Sequence, residues 1–268
     1  MKIEKVNLVY FSATGTTEIV VKAAAKGVDN DQLIYHNITK DKTDEEVTLG
    51  ENDLLIVGAP VYAGRLPALA ATSIKRFKGS NTPAIIICLY GNRDYDDALL
   101  ELKDIVSANG FKAISSGLFI GQHSIFKDVA TGRPNAADLI EASNLGKATA
   151  KLLSSVSSLA EVAEVEVAGD TPYKPAKRVP LRPKGNNRCI DCGRCAVVCP
   201  AGAIKPETPR KTDKKLCISC ARCIAECPED ARSFSGFLFN MARSRFIKNH
   251  SGYKENETQI ATRLNIDE

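Results

Sequence analysis

The sequence predicts a doubly wound α/β unit joined by a proline-rich connection to a small, cysteine-rich α+β module. Three observations carry this. Short apolar runs alternate with amphipathic stretches over roughly the first 155 residues. A Pro/Lys/Arg-rich segment follows, and beyond it one four-cysteine motif occurs twice. A chain of 268 residues has room for two modest domains.

Five runs read as strands: KVNLVYF (5–11), QLIYHNI (32–38), DLLIVGAP (53–60), AIIICLYG (84–91) and AISSGLFIG (113–121). Ile, Val and Leu fill the third and fourth, as expected of parallel strands buried on both faces. Helical stretches lie between them at 16–28, 67–78 and 95–109, with another at about 136–155. Asn109-Gly110 is a helix stop, and Asn135 reads as the N-cap of the last helix. Five strands alternating with helices give a five-stranded parallel sheet covered on both faces.

Composition is that of an ordinary globular protein, 44% hydrophobic and 25% charged. A formal charge of +4 is too small to indicate nucleic acid, and no Trp advertises a large aromatic binding surface. The charge is uneven: residues 1–160 hold 17 Lys+Arg against 18 Asp+Glu, and residues 161–268 hold 19 against 14. A basic second half suits redox partners with an acidic docking surface, although scattered solvated charges would look the same. The opening MKIEKVNLVYF has neither a bilayer-length apolar run nor a small-residue cleavage site, so a cytoplasmic location is expected. Nine cysteines in a reducing compartment then point to metal ligation rather than disulfides.

The organisation expected is an α/β domain over 1–160, a linker over 161–185, a cysteine-rich domain over 186–235 and a C-terminal tail over 236–268. The linker carries Pro172, Pro175, Pro180 and Pro183; it either spans the domains as an extended spacer or wraps the first. In the tail, Phe234, Phe237, Leu238, Phe239 and Phe246 are candidate anchors of a short helix.

The repeat reads Cys-x2-Cys-x2-Cys-x3-Cys-Pro, at Cys189, Cys192, Cys195 and Cys199, then again at Cys217, Cys220, Cys223 and Cys227. Three cysteines spaced by two residues grip one cubane, while the fourth, followed by Pro200 or Pro228, ligates the other. This groups Cys189, Cys192, Cys195 and Cys227 around one [4Fe–4S] cluster, and Cys217, Cys220, Cys223 and Cys199 around a second. Zinc sites favour paired Cys-x2-Cys or mixed Cys/His ligands, which this pattern fits poorly. Cys88, alone in a strand, reads as a small core hydrophobe. Residues 186–235 resemble the bacterial two-cluster ferredoxins.

At the end of the first strand, Phe11-Ser12-Ala13-Thr14-Gly15-Thr16-Thr17 runs into a helix. Backbone N–H groups at a helix start make an anion site, and the hydroxyls of Ser12, Thr14, Thr16 and Thr17 are potential donors. No Lys follows Gly15, and no Gly-x-Gly-x-x-Gly is present, so neither triphosphate nor dinucleotide chemistry is indicated. A neutral hydroxyl-lined loop suits a monophosphate; an ordinary Ser/Thr-capped helix start is the alternative.

This loop resembles the flavodoxin phosphate loop, a resemblance running over about residues 3–155. It implies FMN at the carboxyl ends of the strands. The matching loops are Pro60-Val61-Tyr62-Ala63-Gly64-Arg65-Leu66-Pro67 and Tyr90-Gly91-Asn92-Arg93-Asp94-Tyr95-Asp96-Asp97. Tyr62 and Tyr95 are the ring-stacking candidates, and Gly91, Asn92 and Arg93 are placed at the flavin's polar edge. The loop after the fifth strand departs from flavodoxins in having few acidic residues, and carries His123 and Arg133 instead. As a whole the chain resembles the fused flavodoxin–ferredoxin proteins of anaerobic bacteria and archaea. The resemblance implies electron transfer between two [4Fe–4S] clusters and FMN as a carrier between partner oxidoreductases. The alternative is a flavin-dependent reductase of a small acceptor such as a quinone, with His123, Arg133 or Arg93 as its polar groups.

Overall fold

The computed structural model describes residues 1–41 and 43–264. In chain order the first unit comprises β1 (Lys5–Tyr10), α1 (Thr16–Val28), β2 (Leu33–Asn37), β3 (Val47–Leu49), β4 (Asp53–Pro60) and α2 (Ala68–Ile74). It continues through β5 (Phe77–Gly79), β6 (Thr82–Tyr90), α3 (Ala98–Ala108), β7 (Phe111–Ile120) and α4 (Ala136–Ser154). The second comprises β8 (Lys184–Gly185), α5 (Arg194–Val197), α6 (Arg222–Ala225) and β9 (Arg232–Ser233). The chain then forms α7 (Phe237–His250) and β10 (Glu257–Ile260).

The central sheet runs in the order β10-β7-β6-β4-β1-β2. Its five parallel strands have the 2-1-3-4-5 succession of the flavodoxin-like fold, with β3 and β5 set aside as a separate two-stranded pair. β4 and β6 lie in the middle and are buried almost end to end, which is why their sequences are continuous Ile, Val, Leu and Ala. One face packs against α1 and α4, through Val20, Val21, Leu145 and Leu153. The opposite face packs against α2 and α3, through Ala70, Ile74, Leu99 and Leu102. Cys88 is fully buried there, and burial pushes its thiol pKa up, as a core residue requires. Asn135 caps α4 through a reciprocal pair of bonds with Asp138.

Two segments differ from a plain spacer and tail. The first part of the connection, up to Lys174, packs on the first unit, and from Arg178 on it bonds the second: Val162 and Val165 are buried, and the Val165 N–H donates to Ala113 O at 2.9 Å. Farther on, Asp97 accepts from the backbone of both Asp170 (3.0 Å) and Lys174 (2.6 Å). The sixth strand, β10, pairs antiparallel with β7 and covers what would otherwise be the sheet's open edge. Nothing in ETQI announces a strand, since all four residues are exposed. In α7, Phe239 stacks on Phe126 and Phe234, and Phe246 meets His123 and Phe126. Phe237 and Leu238, the other two expected anchors, are exposed. Among the described residues no helix is long and apolar enough to cross a membrane.

Candidate functional site

The loop from β1 to α1 turns at Gly15, whose φ of 90° lies in the left-handed region. It presents Ala13, Thr14, Thr16 and Thr17 to a cleft at the carboxyl edge of the sheet. The N-terminus of α1 carries free N–H groups and a partial positive charge toward that cleft. Ser12 is a correction to the sequence-based set. It is buried, its hydroxyl accepts from the Glu18 N–H at 3.1 Å, and its own N–H donates to Thr39 Oγ1 at 2.6 Å. That hydroxyl braces the start of α1, and Ser12 is not among the residues lining the cleft.

The cleft runs on between Pro60, Val61, Tyr62 and Ala63 on one side and Gly91 and His123 on the other. Gly91 packs directly against His123 on that side: a β-carbon there would lie 2.5 Å from His123 Cδ2. His123 Nδ1 accepts from the N–H groups of Ile125 (3.1 Å) and Phe126 (3.0 Å), leaving the ring proton on Nε2. Burial, and next the neighbouring His250, lower its pKa to about 4, so the ring is neutral at pH 7.

Five other sequence-based candidates have different places. Gly64 packs behind the wall, against Asp96. The Asn92 amide donates to His250 O and Gly252 O, both at 2.7 Å, and so fastens the C-terminal segment rather than facing the cleft. Tyr95 turns to the other side, edge-on to Tyr90 at 5.6 Å and beside Leu99 and Glu257. Arg133 is buried in a bidentate pair with Asp138 and also bonds Lys254 O and Asn256. Arg93 pairs with Asp96 and borders a wider, adjoining cleft of about 830 Å³ that reaches Val179 of the connecting segment and Leu238 and Phe246 of α7.

In the second unit, Cys189, Cys192, Cys195 and Cys227 line one cavity, and Cys199, Cys217, Cys220 and Cys223 line another. Each therefore draws three cysteines from one repeat and the fourth from the other. Residues 191, 193, 219 and 221 adopt positive φ, winding the backbone around the thiols. Backbone amides reach the sulfurs: Ala203 to Cys199 and Ala231 to Cys227, both at 3.3 Å, and Ser219 to Cys217 at 3.4 Å. Among the described residues no three His, Cys, Asp or Glu side chains converge on one ion; the thiols surround a void instead. A ring of four thiols around a void, met by inward N–H groups, fits a cubane cluster.

The two units meet at the loops that form this cleft. Cys220 is buried in the same apolar cluster as Tyr62, a wall of the cleft. Arg222, between Cys220 and Cys223, donates from Nη1 to Ser12 O and Ala13 O, each at 3.1 Å. The cavity of the first repeat is more open, with Cys192 exposed.

Residues 176–232 match the family model of the 4Fe-4S dicluster domain. The chain joins a flavodoxin-like unit to a 4Fe-4S ferredoxin-type domain. Its role is accordingly redox electron transfer. Among solved structures it is similar to a flavodoxin from the domain Archaea, at 17% identity over 56% of this chain and 99% of that one, with a TM-score of 0.40. Flavodoxin 1 from Bacillus cereus is 13% identical over 57% of this chain and 99% of its own, with a TM-score of 0.42. The rubredoxin oxygen:oxidoreductase of the anaerobe Desulfovibrio gigas is 15% identical over 57% of this chain but only 37% of its own, with a TM-score of 0.43. No curated protein matches the chain.

Proposed function

We propose that this chain is an electron carrier holding two [4Fe–4S] clusters and one FMN in series, serving partner oxidoreductases. Cys199, Cys217, Cys220 and Cys223 hold the cluster nearer the flavin; Cys189, Cys192, Cys195 and Cys227 hold the outer one. The observation that carries this reading is the meeting of the two units: Tyr62, a wall of the cleft, belongs to the same apolar cluster as Cys220, and Arg222 beside Cys220 bonds the Ser12 and Ala13 carbonyls of the cleft's loop. When bound, the clusters supply one-electron steps and the flavin one- or two-electron steps. The protein's own residues provide position and environment. Thr14, Thr16, Thr17 and the start of α1 would take the phosphate. Val61, Tyr62 and Ala63 would flank the ring, Tyr62 being the one that packs on the apolar cluster containing Cys220. His123 offers a neutral Nε2–H at the Gly91 edge.

Anaerobically purified protein should contain about eight irons and eight sulfides, as two cubanes require, with one FMN per chain. Iron without flavin, even after reconstitution with FMN, would refute the series arrangement. So would reduction of the flavin by a protein electron donor at an unchanged rate after Cys220→Ala.

The wide cleft beside His123 and Arg93 favours a second reading, reduction of a small acceptor next to the flavin. Saturable turnover of 1,4-naphthoquinone, impaired by Ala242→Phe on the α7 wall, is its expected result. Turnover that is unsaturable and indifferent to that substitution would eliminate it.

A further inference from the structure

The loop that receives the flavin phosphate has no cation of its own, and among the described residues none that lines that cleft is Lys or Arg. A dianionic group would rest on hydroxyls and N–H dipoles alone. Behind the loop, however, lies a buried guanidinium from the other unit. Arg222 sits between Cys220 and Cys223 with a side chain only 7% exposed. Its Nη1 bonds the carbonyl oxygens of Ser12 and Ala13, Nη2 meets Glu226 at 3.3 Å, and Nε is buried with no partner among the described residues.

Burying a guanidinium with an unused N–H is costly unless something nearby repays the lost hydration. One carboxylate, Glu226, shares it, and that carboxylate also pairs with Arg194 at 2.7 Å. The carbonyls of Ser12 and Ala13 belong to the peptide groups whose N–H ends are those of Ala13 and Thr14. In a trans peptide the N–H points opposite to the C=O. Arg222 therefore holds the carbonyl end of two peptide dipoles and polarises their N–H ends. Those N–H groups find no protein acceptor among the described residues, and both Ala13 and Thr14 line the cleft.

We infer that Arg222 is the positive partner of the flavin phosphate, lent to the flavodoxin-like unit by the iron–sulfur unit. It acts through the loop backbone and is a positioning residue rather than a direct ligand. The inference rests on FMN occupying this cleft, as proposed above, and it adds that the phosphate site is complete only with both units in place.

The test compares FMN with riboflavin, which has the same ring and no phosphate. Affinity is measured by flavin fluorescence quenching on the full chain, under anaerobic conditions, with iron content checked. For Arg222→Gln the FMN Kd should rise about tenfold or more, equivalent to about 1.4 kcal/mol, while the riboflavin Kd changes less than twofold. Arg222→Lys keeps the charge and should recover part of the FMN affinity, giving the comparison even if the Gln variant loses iron. Equal weakening of FMN and riboflavin would overturn the inference, because it would mean loss of packing alone. Unchanged FMN affinity would also overturn it while leaving the carrier reading intact. Wild-type protein that binds neither flavin would overturn both.

Discussion

Replacing Arg133 by Met should destabilise the fold far more than the loss of an ordinary surface ion pair. Arg133 and Asp138 have side chains 8% and 4% exposed, and they meet through two parallel bonds, Nε to Oδ2 at 2.7 Å and Nη2 to Oδ1 at 2.5 Å. The same guanidinium holds Lys254 O at 2.9 Å and Asn256 Oδ1 at 3.0 Å, so it pins the C-terminal segment to the loop before α4. Methionine leaves a buried carboxylate with only the Asn135 N–H and the Asn256 amide as partners. Orphaning a buried charge costs about 3–5 kcal/mol. At roughly 2–4 °C per kcal/mol for a chain of this size, Tm should fall on the order of 10 °C. The double variant Arg133→Met/Asp138→Leu removes the orphan and retains a cost of only about 1–2 kcal/mol, mostly for the lost capping of α4. The assay is urea unfolding followed by far-UV circular dichroism, with cofactor content matched across the four proteins of the cycle. A single variant that loses less than about 1 kcal/mol, or a double variant worse than the single, would refute the reasoning.

Three further expectations follow from the site. His123 titrates near pH 4 when folded against about 6.5 unfolded, so it stabilises the fold by about 3 kcal/mol above pH 6.5 and loses this as pH falls toward 4. Unfolding curves of His123→Phe should show a correspondingly shallower decline between those pH values, and an unchanged slope would contradict the assignment. Gly91→Val drives a side chain into the His123 ring and should weaken FMN binding by about tenfold or more at unchanged helix content, read by fluorescence titration; intact affinity would show that the ring yields. Arg232 is buried with Nη1 3.8 Å from Cys195 Sγ, and Arg232→Met should shift the potential of the outer cluster negative by on the order of 50 mV in a paramagnetic-resonance redox titration. A positive shift would contradict that electrostatic role.

The features legible in the sequence are those fixed by local chemistry. Continuous Ile/Val/Leu runs placed the inner strands within two residues of β4 and β6, because strands covered on both faces have no polar side to show. Cysteine spacing is legible for the same reason, since three thiols two residues apart lie on one tight loop and so can face one cavity. What escaped depends on contacts distant in the chain. β10 is four exposed residues whose partner, β7, lies some 140 positions earlier, so it has no apolar pattern to read. Arg222 resembles any charge between two cysteines until the fold brings it to Ser12. Asn92 and Tyr95 occupy the expected loop, but β10 and the segment before it draw the amide of one to the C-terminal backbone and the ring of the other to the sheet edge. The Pro-rich connection gave no sign of which way it would go, because its anchor, Asp97, is supplied by another loop.

The pairing of β10 with β7 alters the relation between the two units. By topology the iron–sulfur unit is an insertion, bracketed by the fifth and sixth strands of a single sheet. Closing such a long excursion costs entropy that grows only slowly with its length, so a well-ordered insert is a modest burden once both of its ends are tied down. Synthesis order matters more. As the chain emerges, β7 must wait as a bare edge until the entire cysteine-bearing stretch has been made and β10 arrives to cover it. A ribosome-bound intermediate of this protein is therefore most exposed to mispairing during the interval in which its thiols must also find iron.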